Sequence, residues 1–147
     1  MIIEKSDIKY VHFGIMDLSY KCNIPKENET IPPDLEIDLN YEILKIDENK
    51  NIFQLILELK LSPLNNLPGY IISLKPIGVF ELPGTAEKKQ IDSALLYTCI
   101  PMILGNVRGF IADITSYFPL GKYFLPSLSI KSIVVANKNK PVDTPEI

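Results

Sequence analysis

At 147 residues the chain is one domain's worth of polypeptide, long enough to bury a core of its own. Its 15 basic and 18 acidic side chains leave a net charge of −3, which argues against nucleic acid as the main partner, since such proteins carry a basic patch. Apolar residues at 46% and charged ones at 22% exclude wholesale disorder. A mean hydropathy of +0.12 is high for so small a chain, and it points to apolar surface covered by a partner or by copies of the chain itself.

The first half reads as strands. From Ile8 to Cys22 the even positions Ile8, Tyr10, Met16, Leu18, Tyr20 and Cys22 alternate with Lys9, Asp17, Ser19 and Lys21, the period of a half-buried strand. In the middle Val11, Phe13 and Ile15 make the other face apolar too, around a glycine, Gly14, that suits a bulge or a close backbone approach. Such a strand is covered on both sides either by its own chain or by another subunit. A connector with Pro25, Pro32 and Pro33 follows, long for a compact domain and of the kind that carries function. Leu35, Ile37, Leu39, Tyr41 and Ile43 alternate with Glu36, Asp38, Asn40 and Glu42. A polar turn at Asp47 to Asn51 leads to Phe53, Leu55, Leu57, Leu59 and Leu61. After the break at Pro63 to Pro68, a fourth strand runs from Tyr70 to about Leu82. Pro76 lacks a ladder donor, so that strand is expected at an edge or bulged. Short connectors predict an antiparallel meander with an acidic, solvated outer face.

The second half reads as helices. Pro83-Gly84 stops the strand, and Thr85 is a candidate cap with Glu87 in the first turn. Ile91, Ala94, Leu95 and Thr98 follow at helical spacing. Pro101 interrupts and suits the first position of a second helix, whose stripe is Ile103, Leu104, Val107, Phe110, Ile111 and Ile114. Strands first and helices afterwards make the class α+β. A second stripe, Gly105, Gly109, Ala112 and Ser116, shares one helix face. Two interior glycines cost roughly 1 kcal/mol each against alanine, a cost that fits a close approach to the protein's own sheet or to another subunit's helix.

Catalytic and metal motifs are missing from the sequence. The one histidine, His12, sits in a strand pattern, and Cys22 and Cys99 have no neighbours at metal-ligand spacing. There is no phosphate loop, nucleophile elbow or zinc-protease motif. Arg108 interrupts the apolar helix and reads as a snorkelling or salt-bridged side chain, with Asp113 a candidate partner. The expectation is a protein that is not an enzyme and needs no cofactor or metal. No run approaches the roughly 18 apolar residues of a membrane span, and the first residues lack a signal-peptide layout. A reduced, cytoplasmic protein without membrane insertion is expected.

Gly78-Val79-Phe80-Glu81-Leu82, then Leu95 to Leu104 with Cys99-Ile100-Pro101-Met102-Ile103-Leu104, then Arg108, Phe118-Pro119 and Phe124-Leu125-Pro126-Ser127-Leu128-Ser129-Ile130, resemble in order and spacing the SecB export-chaperone family. The resemblance implies a four-stranded antiparallel sheet with helices behind it, paired into a dimer of dimers. It also implies a job: holding unfolded polypeptides in apolar grooves without ATP. Ile24, Ile31, Leu96, Ile100 and Met102 are the candidate groove residues; Val11, Phe13, Ile15, Gly105, Gly109 and Ala112 are the candidate subunit contacts. The positions that dock the translocase motor in SecB hold Asp17, Lys21 and Ser73 here, one acid of three, so the resemblance does not carry motor docking. Residues 1–136 are read as the SecB-like domain and 137–147 as a disordered tail. The alternatives are a chaperone dedicated to a toxin–antitoxin system, or an oligomeric scaffold or ligand-binding domain.

Overall fold

A computed structural model describes residues 1–2, 6–30, 34–47, 49–64 and 67–133; the proposed tail at 137–147 and the groove candidate Ile31 lie outside them. Four strands, β1 (Lys9–Asn23), β2 (Glu36–Asp47), β3 (Ile52–Ser62) and β4 (Gly69–Glu81), precede α1 (Lys88–Ala94) and α2 (Ile100–Thr115). Every pairing is antiparallel, but the order is β1-β4-β3-β2. The expected meander therefore holds only for β2 to β4. β1 and β2 stand at opposite edges of the sheet, a separation that calls for a long connection between them.

Alternation decides the faces. Leu55, Leu57, Leu59 and Leu61 of β3 are fully buried beside Ile72, Leu74 and Phe80 of β4, each such side chain contributing about 1.5–3 kcal/mol. Ile37, Leu39, Tyr41 and Ile43 of β2 extend this inner face and are half-buried at the sheet's margin. On β1 the pattern slips twice, between Tyr10 and His12 and between Ile15 and Asp17. Two bulges, at Val11 and Met16 and not at Gly14, turn Tyr10, Phe13, Ile15, Leu18, Tyr20 and Cys22 onto one inner face. Phe13 and Ile15 thus do not form a second apolar face; Val11 and Met16 protrude at the bulges, both exposed. Pro76 sits inside the central strand β4, opposite Ile15 at the second bulge, so the ladder gives way there on the partner strand.

The helix begins later than expected. Glu87, not Thr85, is the cap, in a reciprocal box with Gln90. Nor does Pro101 break the helix: a five-residue π turn, Leu95–Cys99, joins α1 to α2 without a gap, and Pro101 lies in the first turn of α2, where a missing N–H costs little. The continuous stretch Lys88–Thr115, 28 residues with a mean hydropathy of 1.4 in its most apolar window, is long and apolar enough to cross a membrane by those two measures. Its buried side, however, is the core: Ile100, Ile103, Leu104, Val107 and Ile111 face the sheet. Closest approach comes at Gly78, where a Cβ would stand 2.7 Å from two carbons of Ile103.

Candidate functional site

The two ends of the sheet differ in what they expose. At one end lie Phe80, stacked on Tyr10 with centroids 4.5 Å apart, and the start of α2, whose Asn106 donates to the Tyr10 hydroxyl at 2.8 Å. The opposite end gathers the exit of β1, the β3–β4 turn, the entry to β2 and the loop that follows α2. The first end also exposes Val11, Ile46 and Tyr97, whereas the second combines exposed apolar side chains with a cluster of stacked rings. Leu18, Tyr20, Leu64 and Leu67 are exposed at this second end, as are Ile24 at 68%, Tyr117 at 84% and Phe124 at 66%. Large exposed apolar side chains in one neighbourhood are the signature of an interaction surface.

Aromatic rings organise that end. Phe118 lies flat on Tyr20, centroids 3.6 Å apart and planes at 16°, and edge-on to Tyr70 at 5.7 Å. Tyr20 and Tyr70 stand 6.1 Å apart on neighbouring strands. The Tyr70 hydroxyl donates to the Gly121 carbonyl at 2.7 Å, and burial raises its pKa, so it remains a donor through the physiological range. Behind the rings Thr115, fully buried, donates to the Ile111 carbonyl at 2.6 Å and accepts from the Tyr123 N–H at 2.8 Å. Together these contacts fix where α2 ends and the return loop begins.

The candidate groove residues separate. Ile24 belongs to this aromatic end, whereas Leu96, Ile100 and Met102 sit near the Gly78–Ile103 contact. Gly69 to Gly78 along β4 is about 30 Å. Leu96 and Met102 are half-buried against the core, and Ile100, 1% exposed, is part of it, so it serves packing between helix and sheet. From sequence, Tyr20 and Tyr70 read as strand positions and Phe118 and Phe124 as parts of the resemblance, none of them as a groove residue. The available signal was the density of rings at Tyr117, Phe118, Tyr123 and Phe124 just past the helix.

The contact candidates also sort by geometry. Around Gly105 and Gly109 a Cβ would meet nothing within 4 Å, so the small-residue face does not pack on the protein's own sheet. Ala112 on that face and Phe13 and Ile15 on the edge strand β1 are half-buried. Arg108 does not pair with Asp113; its Nε donates to the Leu125 carbonyl at 3.1 Å, strapping the 125–130 segment beside a cleft of about 250 Å³ that Leu104, Gly105 and Leu128 help line.

On the outer face, Asp17 lies opposite Lys75, which reaches Glu58 at 3.9 Å, and with Lys60 and Ser73 they line a cleft of about 190 Å³. That exposed pair is worth at most about 1 kcal/mol, and its cations offset the acids. Among the described residues no three of His, Cys, Asp and Glu gather around a metal-sized space, and both cysteines are free.

No family model matches the chain. It is 25% identical over 122 residues to the protein-export protein SecB of Stenotrophomonas maltophilia (strain K279a), spanning 81% of this chain and 69% of that one. Its fold is similar to that of the Mycobacterium tuberculosis SecB-like chaperone in complex with a ChAD peptide from the HigA1 antitoxin. The TM-score is 0.58 at 13% identity, over 84% of this chain and 91% of that one. In sequence the chain is distantly similar to SecB, and its fold is SecB-like. The α+β class and the four-stranded antiparallel sheet expected of a SecB-like chain stand. The two expected helices are the two arms of one continuous helix.

Proposed function

We propose that this SecB-like chain is an ATP-independent holdase that binds extended, unfolded polypeptide at the aromatic end of its sheet. One observation carries the reading: Tyr20, Tyr70 and Phe118 form a ring cluster, and Ile24, Leu64, Leu67, Tyr117 and Phe124 are exposed at the same end, where Lys122 holds its Nζ 5.7 Å from the centre of the Phe124 ring. Such a surface gains by covering apolar side chains of any sequence, and unpaired backbone on an edge strand adds hydrogen bonds to an extended segment. Support also comes from the M. tuberculosis SecB-like chaperone, whose structure holds a peptide.

That peptide derives from an antitoxin, and it favours a dedicated antitoxin client as the second reading. The mixed charges of the outer face, with Lys60 and Lys75 beside Asp17 and Glu58, sit better with such a client than with a partner that docks on acids. On this reading the protein works in the cytoplasm as a dimer of dimers. The edge strand β1 and the open Gly105–Gly109 face would supply its contacts, the latter by close helix crossing.

The test is light scattering of a chemically denatured reporter protein diluted into buffer without ATP. The chain is expected to suppress aggregation at near-stoichiometric ratio. Phe124→Ser combined with Ile24→Ser, both at exposed positions, is expected to lose most of that suppression while keeping its melting temperature. Undiminished aggregation with the unmodified chain would remove the holdase reading.

A further inference from the structure

We propose that the loop 116–122 is a lid over the client site, and that Phe118 is a built-in occupant which an aromatic side chain of the client displaces. The inference rests on the aromatic end being the client site and adds how that site is regulated.

The loop is pinned at its neck and lightly held beyond it. The neck is Thr115, fully buried, whose Oγ1 accepts the Tyr123 N–H at 2.8 Å. Tyr123 itself is half-buried, its phenol close to the backbone of Leu35. Past the neck the chain makes its own helical turns, Phe118 N–H to the Thr115 carbonyl at 3.1 Å and Gly121 N–H to the Phe118 carbonyl at 3.0 Å. It can therefore move as a unit. What ties that unit down is the Phe118 stack on Tyr20 and Tyr70, the hydrogen bond from the Tyr70 hydroxyl to Gly121, and the packing of Leu120 against the core. Gly121 has φ +83°, which a residue with a Cβ rarely adopts, so the turn is built around a residue free to change its backbone angles. Tyr117, Pro119 and Lys122 are exposed, so lifting the loop uncovers the seat and the half-buried Leu120.

The seat is shaped for a ring. Tyr20 offers its face and Tyr70 stands tilted beside it, and Tyr20 keeps 37% of its surface exposed even with Phe118 on top. A client phenylalanine or tyrosine entering from that open side makes the same contacts as Phe118 and competes with it. Affinity for the client is then lowered by the fraction of molecules in which the lid is closed.

The chain has no tryptophan, so Phe118→Trp supplies a single reporter at the seat. The probes are a short, apolar, fluorescein-labelled peptide with one phenylalanine and its alanine counterpart, with binding read by anisotropy. The indole emission of Phe118→Trp is read with the unlabelled peptides. The expected results are a red shift of that emission on saturation with the phenylalanine peptide, and about tenfold tighter binding of that peptide by Phe118→Ala, as when the open state is about a tenth populated. Peptide binding without an emission change, together with Phe118→Ala binding equally or more weakly, overturns the lid and leaves the client site standing. Absence of peptide binding by the unmodified chain overturns both. If neither variant folds, Phe118 is a core residue and the lid is wrong.

Discussion

At Gly78 the missing side chain is a packing requirement. A methyl there would lie 2.7 Å from Ile103 and 2.9 Å from the Phe80 ring, and both neighbours are fully buried with nowhere to go. Gly78→Ala is expected to cost about 1–3 kcal/mol of stability, measured by urea denaturation, through overpacking. Cys99 makes a different statement. Burial pushes its thiol up to about 12 from an ordinary value of 9.0, so the native state favours the protonated form. That contribution to stability is complete below pH 9 and is lost as the pH climbs toward 12. Tyr10, Tyr41, Tyr70 and Tyr123, all raised chiefly by burial, add to the loss above their usual value of 10. Denaturation followed from neutral pH to about pH 11 should show falling stability, with a shallower fall in Cys99→Ala. A flat profile in the unmodified chain would refute the burial argument.

Among the elements, β2, β3 and β4 were legible because their alternation is unbroken and one face is dry. The sequence of β1 was half-legible. A period-2 reading assumes a constant register, and the bulges at Val11 and Met16 shift it twice, so residues of both parities reach the inner face. Strand order was not legible at all, since alternation is silent on which neighbour a strand finds. The helix was legible as an apolar stripe, but Pro101 reads as a break only if every turn is α; the π turn before it keeps the helix whole. The empty space around Gly105 and Gly109 removes packing on the protein's own sheet, and the subunit contact at this face is our proposal. Gly105→Leu is therefore expected to leave the protomer folded, with stability unchanged or raised by up to about 1 kcal/mol from helix propensity. The same change is expected to reduce the assembled mass in size-exclusion chromatography with light scattering. Unfolding of the variant would contradict an open face at these glycines.

For the whole molecule, the informative contrast is between its two ends. Sequence reasoning picked apolar residues near the helix start and in the crossover connector together. The fold sets Ile24 and the helix start toward opposite ends of β4, about 30 Å apart, and assigns Ile100 to the core. Only tertiary placement could bring Tyr20, Tyr70 and Phe118 together, because they come from three separate elements. A client is accordingly expected on the aromatic end and nowhere else. Hydrogen–deuterium exchange of the chain with and without a bound unfolded polypeptide tests it most directly. The account predicts added protection in 18–24, 64–71 and 116–124, with none in 88–99. Protection confined to the helix start around Tyr97 and Met102, or to the outer face around Lys60 and Lys75, would contradict it.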